Sequence, residues 1–152
     1  MKDAYYFDHA ATSFPKAPGV AEAMAGYLTD VGSNISRGDY PSAYAAAARV
    51  LEVRERLARR FGAPESRNVV FTPGCTYALN TVLKGLLRPG DRVAASVLEH
   101  NAVLRPLYQL EKQGVEVVWL PCDSQGALEL DQAERLLMPG LRLCVLTHAS
   151  NV

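Results

Sequence analysis

From Asn68 onward the chain alternates short runs of apolar, often β-branched residues with longer amphipathic runs, and glycine, proline or aspartate separates them. Continuous apolar strands must be covered on both faces, and helices that return across the sheet between strands provide that cover. A mainly parallel α/β sheet with flanking helices follows. Residues 69–72, 92–96, 115–120 and 142–147 read as its strands, and residues 77–87, 102–113 and about 130–138 as its helices. In the first helix Ala78, Leu79, Val82, Leu83, Leu86 and Leu87 fall on one stripe of 3.6-residue period, and Pro89-Gly90-Asp91 closes it with a turn. The second takes Asn101 as its N-cap and stops at Gly114, while Pro106 removes a backbone bond or bends its first turns.

Upstream the pattern changes. Val20, Ala23, Met24, Tyr27 and Leu28 share a helical stripe, and a second, alanine-rich helix runs over residues 42–61 until Gly62 and Pro64 stop it. These helices have no strands to cover, so they pack at the edge of the sheet domain or form part of a second small one. The organisation expected is a helical N-terminal segment over residues 1–66, then the first part of an α/β domain over 67–152.

The 152 residues suffice for one domain's core, and 16 basic residues balance 16 acidic ones. A net charge of zero leaves no electrostatic footprint for nucleic acid, so small molecules become the default partner. No run approaches a signal peptide or a membrane span, which points to a cytoplasmic protein without membrane contact. Cys75, Cys122 and Cys144 are odd in number and lack paired spacing, which argues against a disulfide framework and against a metal site. Buried free thiols are the simpler reading.

The most informative stretch is Phe71-Thr72-Pro73-Gly74-Cys75-Thr76-Tyr77, a glycine-bearing turn between an expected strand and the strongest expected helix. Such a junction aims free backbone N–H groups and the positive end of a helix dipole at one point, which favours a phosphate. Gly74 lets the backbone approach closely, and the Thr76 hydroxyl adds a donor. A glycine there is more often a structural necessity than a ligand contact, and the stretch is neither a Walker A loop nor a dinucleotide fingerprint. Two further polar segments follow strands: Glu99-His100-Asn101, and Thr147-His148-Ala149-Ser150-Asn151. In an open parallel sheet both belong to the carboxyl-end rim where ligands sit. A lone histidine there is more often a cap than a catalyst, and Asn151 could equally be a turn residue. Two such segments beside a phosphate cradle favour a cofactor site.

Tyr6-Phe-Asp-His-Ala-Ala-Thr12, Phe71-Thr-Pro-Gly-Cys-Thr76, Glu99-His-Asn101 with Val103-Leu-Arg-Pro-Leu107, and His148-Ala-Ser-Asn-Val152 together resemble the class V aminotransferase superfamily. Their order is similar to that of cysteine desulfurases, closest to the selenocysteine-lyase-like branch. The resemblance implies the N-terminal part of a fold-type I transferase that uses pyridoxal 5'-phosphate (PLP). Gly74, Cys75 and Thr76 match the phosphate cradle, and His100 matches the histidine that stacks on the pyridine ring and serves proton transfer. Asn151 matches the asparagine that reaches the cofactor's phenolic oxygen, and Ala10, Ala11 and Thr12 match a substrate-side segment. In Asn34-Ile-Ser-Arg-Gly-Asp-Tyr40, tyrosine stands where the family usually has histidine, so no substrate role carries over to that position.

The Schiff-base lysine, the aspartate that pairs the pyridinium nitrogen and the sulfur-accepting cysteine are expected beyond Val152. Lys84 and Lys112 read as solvated helix residues and Lys16 as a loop residue, none matching that lysine. The activity implied is L-cysteine desulfuration to L-alanine with sulfur transfer to an enzyme cysteine, by a homodimer whose implied partners include a sulfur-acceptor protein. The chain by itself is expected to be inactive and prone to self-association. Selenocysteine lyase, cysteine sulfinate desulfinase and aminotransferase activities stay open within the superfamily. Outside it stands a non-catalytic anion-binding or interaction module.

Overall fold

The computed structural model describes residues 5–9, 11–35, 37–137 and 139–149, in two compact units that meet in sequence between Phe71 and Thr72.

In the first unit, α1 (Val20–Gly26) runs into a single wide π turn over Tyr27–Val31. The turn ends where the Gly32 amide bonds to the Tyr27 carbonyl at 2.7 Å. A Cβ on Gly32 would stand 2.8 Å from the Leu28 carbonyl oxygen, so only glycine lets the chain leave there. Helix α2 (Pro41–Phe61) has proline in its first turn, where the missing N–H costs nothing, and ends on Gly62 at φ 66°. Ala43, Ala46 and Ala58 are its buried positions. The stripe expected to be buried on α1 is not: Met24 is 64% and Leu28 73% exposed. With Tyr27, Val31 and Val53 these side chains border an open apolar groove beside α2.

The second unit is the α/β layer. Helix α3 (Cys75–Leu86), β1 (Arg92–Ser96), α4 (Asn101–Glu111), β2 (Glu116–Leu120), α5 (Leu130–Leu136) and β3 (Leu141–Val145) follow one another. The sheet is parallel throughout, in the order β2-β1-β3. Central β1 is buried over Val93–Ser96, and its side chains alternate between two cores. Val93 and Ala95 meet Leu83 and Leu87 from the α3 side and Val103, Leu107 and Leu110 of α4. Ala94 meets Leu120 and Ala133 of α5 on the other face. Helices thus cover both faces, as the continuous apolar strands require.

Residues 69–72, read as a strand from their composition, are not one: a 3₁₀ turn over Ser66–Asn68 precedes them, and they join no ladder in the described sheet. Val69 is extended, at φ −100° and ψ 116°, but extension becomes a strand only with a hydrogen-bonded neighbour. The thiols also differ from expectation. Cys75 and Cys144 are exposed and Cys122 half-buried: Cys75 opens a helix, Cys122 lies just past β2, and Cys144 takes one of the exposed positions along outer strand β3, where burial alternates. None of the helices among the described residues is long and apolar enough to cross a membrane.

Candidate functional site

Order β2-β1-β3 creates a switch point. The chain leaves β1 for β2 through α4 on one face of the sheet and reaches β3 through α5 on the other. Connections that depart in opposite directions open a crevice beyond the carboxyl ends of β1 and β3, the place where ligands lodge in sheets of this kind.

At the start of α3, Gly74 is the N-cap residue and the first intrahelical bond runs from the Ala78 amide to the Gly74 carbonyl at 3.1 Å. The amides of Cys75, Thr76 and Tyr77 precede that bond, so the helix geometry leaves them pointing out of its first turn. Thr72 Oγ1 donates to the Gly74 carbonyl at 3.1 Å and holds the approach. Gly74 has extended backbone at φ 170°, which any residue adopts, and a Cβ there would meet nothing within 4 Å. Neither its own backbone nor its neighbours demand glycine, whereas an anion resting on these amides would. An open depression of about 640 Å³, bordered by Pro73 through Tyr77 and Asn80, lies in front of them. This donor set fits a phosphate monoester.

His100 stands on the same layer. It is exposed, and it, rather than Asn101, caps α4: its Nδ1 accepts the Ala102 amide at 3.0 Å. Nδ1 therefore carries the lone pair, and in the neutral ring Nε2 holds the proton. Asparagine is the commoner cap by type, but the side chain one residue earlier reaches the free amide first. Thr76 and Asn80 of α3 and His100 and Asn101 of α4 border one depression of about 350 Å³, with Lys84 farther along it. Asn80 Nδ2 donates back to the Thr76 carbonyl at 3.0 Å, which fixes the wall between cradle and histidine.

Of the other anticipated residues, Ala11 and Thr12 are exposed in the first unit, and both amides bond to the Asp8 carbonyl. Thr12 Oγ1 accepts from Lys16 Nζ at 2.8 Å. Ala10 and Asn151 lie outside the described residues. Tyr40 is the N-cap residue of α2 and is exposed. Among the described residues no group of three or more histidine, cysteine or acidic side chains could hold a metal.

One residue at the rim carried no role in the sequence reading. Glu99, only 5% exposed, accepts the Ser96 hydroxyl at 2.7 Å, the Thr147 amide at 2.8 Å and the Thr147 hydroxyl at 2.7 Å. The signal available was its place beside His100, but an acidic residue in a polar rim segment reads as solvated until a partner 48 residues away is known. Its charge also reaches β3: partial burial pushes the Cys144 thiol above its ordinary 9.0, and Glu99 adds to that.

A parallel α/β layer whose helix-start amides and a histidine border one depression is a scaffold suited to a phosphate-bearing ligand. The aminotransferase class-V family model matches residues 5–152, and the chain belongs to that family. Cysteine desulfurase CsdA of Escherichia coli is 34% identical over 97% of the chain, which covers 38% of that protein. The apo structure of a cysteine desulfurase from Thermococcus onnurineus superposes with a TM-score of 0.86 at 32% identity, over 97% of this chain and 37% of that one. A structure of SspA in complex with cysteine gives 0.82 at 30% identity, over 97% and 43%. The chain thus spans well under half the length of the proteins it matches, and its fold is that of the fold-type I transferases.

Proposed function

We propose that the chain is the cradle-bearing portion of a PLP-dependent cysteine desulfurase, in which Gly74, Cys75 and Thr76 hold the cofactor's phosphate and His100 faces its ring. The observation that carries the reading is the combination of outward amides in front of a glycine no local contact requires, with Thr76 and His100 bordering one depression. The cofactor supplies an electron sink for the substrate's α-carbon when bound.

The chain's residues do the rest. The amides of Cys75 and Thr76 and the Thr76 hydroxyl bind the phosphate dianion where the α3 dipole is positive. The cap hydrogen bond on Nδ1 holds the imidazole in one orientation and leaves Nε2 as the atom that gives or takes a proton at the substrate side. Asn151 is assigned to the cofactor's phenolic oxygen and Ala10 to Thr12 to the substrate side, on the resemblance alone. L-cysteine is the amino acid taken, on the names of the relatives and on the cysteine bound by SspA. The same reading makes the working enzyme a cytoplasmic homodimer and includes a sulfur-acceptor protein among its partners.

Lys16 is engaged with Thr12, Lys112 lies at the far end of α4 from His100, and Lys84 is on the third turn of α3. Neither Lys84 nor Lys112 lies in the first turn of α3, and no lysine here matches the family's Schiff-base position, so we expect these 152 residues to bind the phosphate without turning over cysteine. Calorimetry with PLP, pyridoxal and inorganic phosphate tests the assignment. PLP and phosphate should compete, pyridoxal should bind about tenfold or more weakly than PLP, and Gly74→Val should abolish both competitors. Equal affinity for PLP and pyridoxal would refute the cradle, and sulfide release from cysteine by this chain would refute the division of labour.

A further inference from the structure

We propose that Glu99 is a positioning residue that locks the crevice between β1 and β3 and thereby sets where the His100 ring stands. The proposal rests on the reading above that this crevice is the cofactor's rim.

The ladder between β1 and β3 ends at Ala95 and Val145. Beyond it the strands have no further backbone bonds to exchange, and the Thr147 amide would be left without a partner at a half-covered sheet end. Glu99 takes over that place: Oε1 accepts both the Ser96 hydroxyl and the Thr147 amide, and Oε2 accepts the Thr147 hydroxyl. Ser96 and Glu99 are the buried polar side chains among the described residues, at 8% and 5% exposure. A buried carboxylate is tolerated only when its oxygens are well supplied with donors, and three donors here supply them.

The turn is held from the other side too. The Val97 amide bonds to the Leu120 carbonyl at 3.1 Å, tying the same turn to the end of β2. Residues 96–99 are therefore pinned to both neighbouring strands, and His100 is the first residue after the pin. Its ring is then fixed through Nδ1 by the cap of α4. Neither constraint alone suffices: the cap orients the ring on its helix, and the carboxylate fixes where that helix starts relative to β3. The cradle at Gly74 to Thr76 shares no hydrogen bond with this clamp, so the two can be perturbed separately.

The test compares Glu99→Gln, Glu99→Ala and Thr147→Val in the full chain. It follows the His100 imidazole nitrogens by NMR and the affinities for PLP and inorganic phosphate. Glutamine can still accept the Ser96 hydroxyl and the Thr147 amide and can donate to the Thr147 hydroxyl, so its His100 spectrum should match the parent's. Alanine should merge the distinct Nδ1 and Nε2 signals and weaken PLP about tenfold, while inorganic phosphate changes less than about twofold. If the alanine variant does not fold, Thr147→Val, which loses one of the three bonds, should move the same signals in the same direction by less. An unchanged imidazole spectrum in folded Glu99→Ala, or equal disruption by glutamine and alanine, would overturn the proposal. Failure of the parent chain to bind PLP or phosphate would defeat the cofactor reading instead, and the imidazole signals would still decide the clamp.

Discussion

His100 caps α4, and the proposed function gives its ring a second task that substitution can separate from the first, because capping needs no ring. Alanine removes the acceptor for the Ala102 amide and should cost about 1 kcal/mol in thermal or denaturant unfolding. Asparagine caps as well as any residue, so His100→Asn should restore stability to near the parent value while giving none of the ring's contribution to PLP binding. Recovery of PLP affinity by asparagine would show that the imidazole only caps. Cys144 offers a second reading of the same rim. Its thiol is pushed above 9.0 by partial burial first and by Glu99 second. Alkylation of Cys144 should therefore be slow at neutral pH and rise only beyond that value, with Glu99→Gln shifting the profile to lower pH. Because the folded state binds this proton more tightly than the unfolded one, the associated stability is complete below 9.0 and lost as pH rises through the folded value. A profile unmoved by Glu99→Gln would mean that the carboxylate does not act on the thiol.

Among the elements, α4 is built against its own local preference. Pro106 is its sixth residue, past the turn where proline is harmless, and has no N–H to give the Ala102 carbonyl. The helix persists because Val103, Leu107 and Leu110 are buried against β1 and α3. Burial of such side chains contributes about 2 kcal/mol each, enough to offset a proline penalty of about 3 kcal/mol. Pro106 is itself buried, so Pro106→Ala regains a hydrogen bond and helix propensity but leaves a small cavity. A net gain of about 1 kcal/mol is expected from denaturant unfolding. A loss would show that the ring's packing outweighs the backbone, and would make this proline part of the wall between α3 and α4 that borders the His100 depression.

For the molecule as a whole, both units expose large apolar side chains. Leu28, Phe61 and Val70 are 73%, 77% and 73% exposed in the first, and Leu98 and Leu130 are 57% and 72% exposed in the second. Strands β2 and β3 flank the described sheet, and each has β1 as its ladder neighbour there. Apolar surface and outer strands of this kind favour association between copies. Light scattering of the purified chain should show mass rising with concentration, and a stable monomer across the micromolar range would refute this.

The apolar runs and their separators by themselves determined that a parallel α/β layer forms, because strands that are apolar on both faces have no other stable cover. They also determined where its main helices lie, since a six-residue stripe such as Ala78 to Leu87 satisfies only a 3.6-residue period, and four short motifs carried the family. Two matters were decided by tertiary structure, and one, the cap of α4, by local side-chain geometry. Residues 69–72 have strand-like composition, yet a strand exists only where a neighbour pairs with it. Asn101 is the better cap by type, yet His100 takes the amide because its ring nitrogen is in reach. Glu99 reads as a solvated acid, and its burial and its Thr147 partner arise only once β1 and β3 lie side by side. Local pattern fixes what a segment can become, whereas the partner of a strand end or a carboxylate is a property of distant residues brought together, which no window of sequence contains.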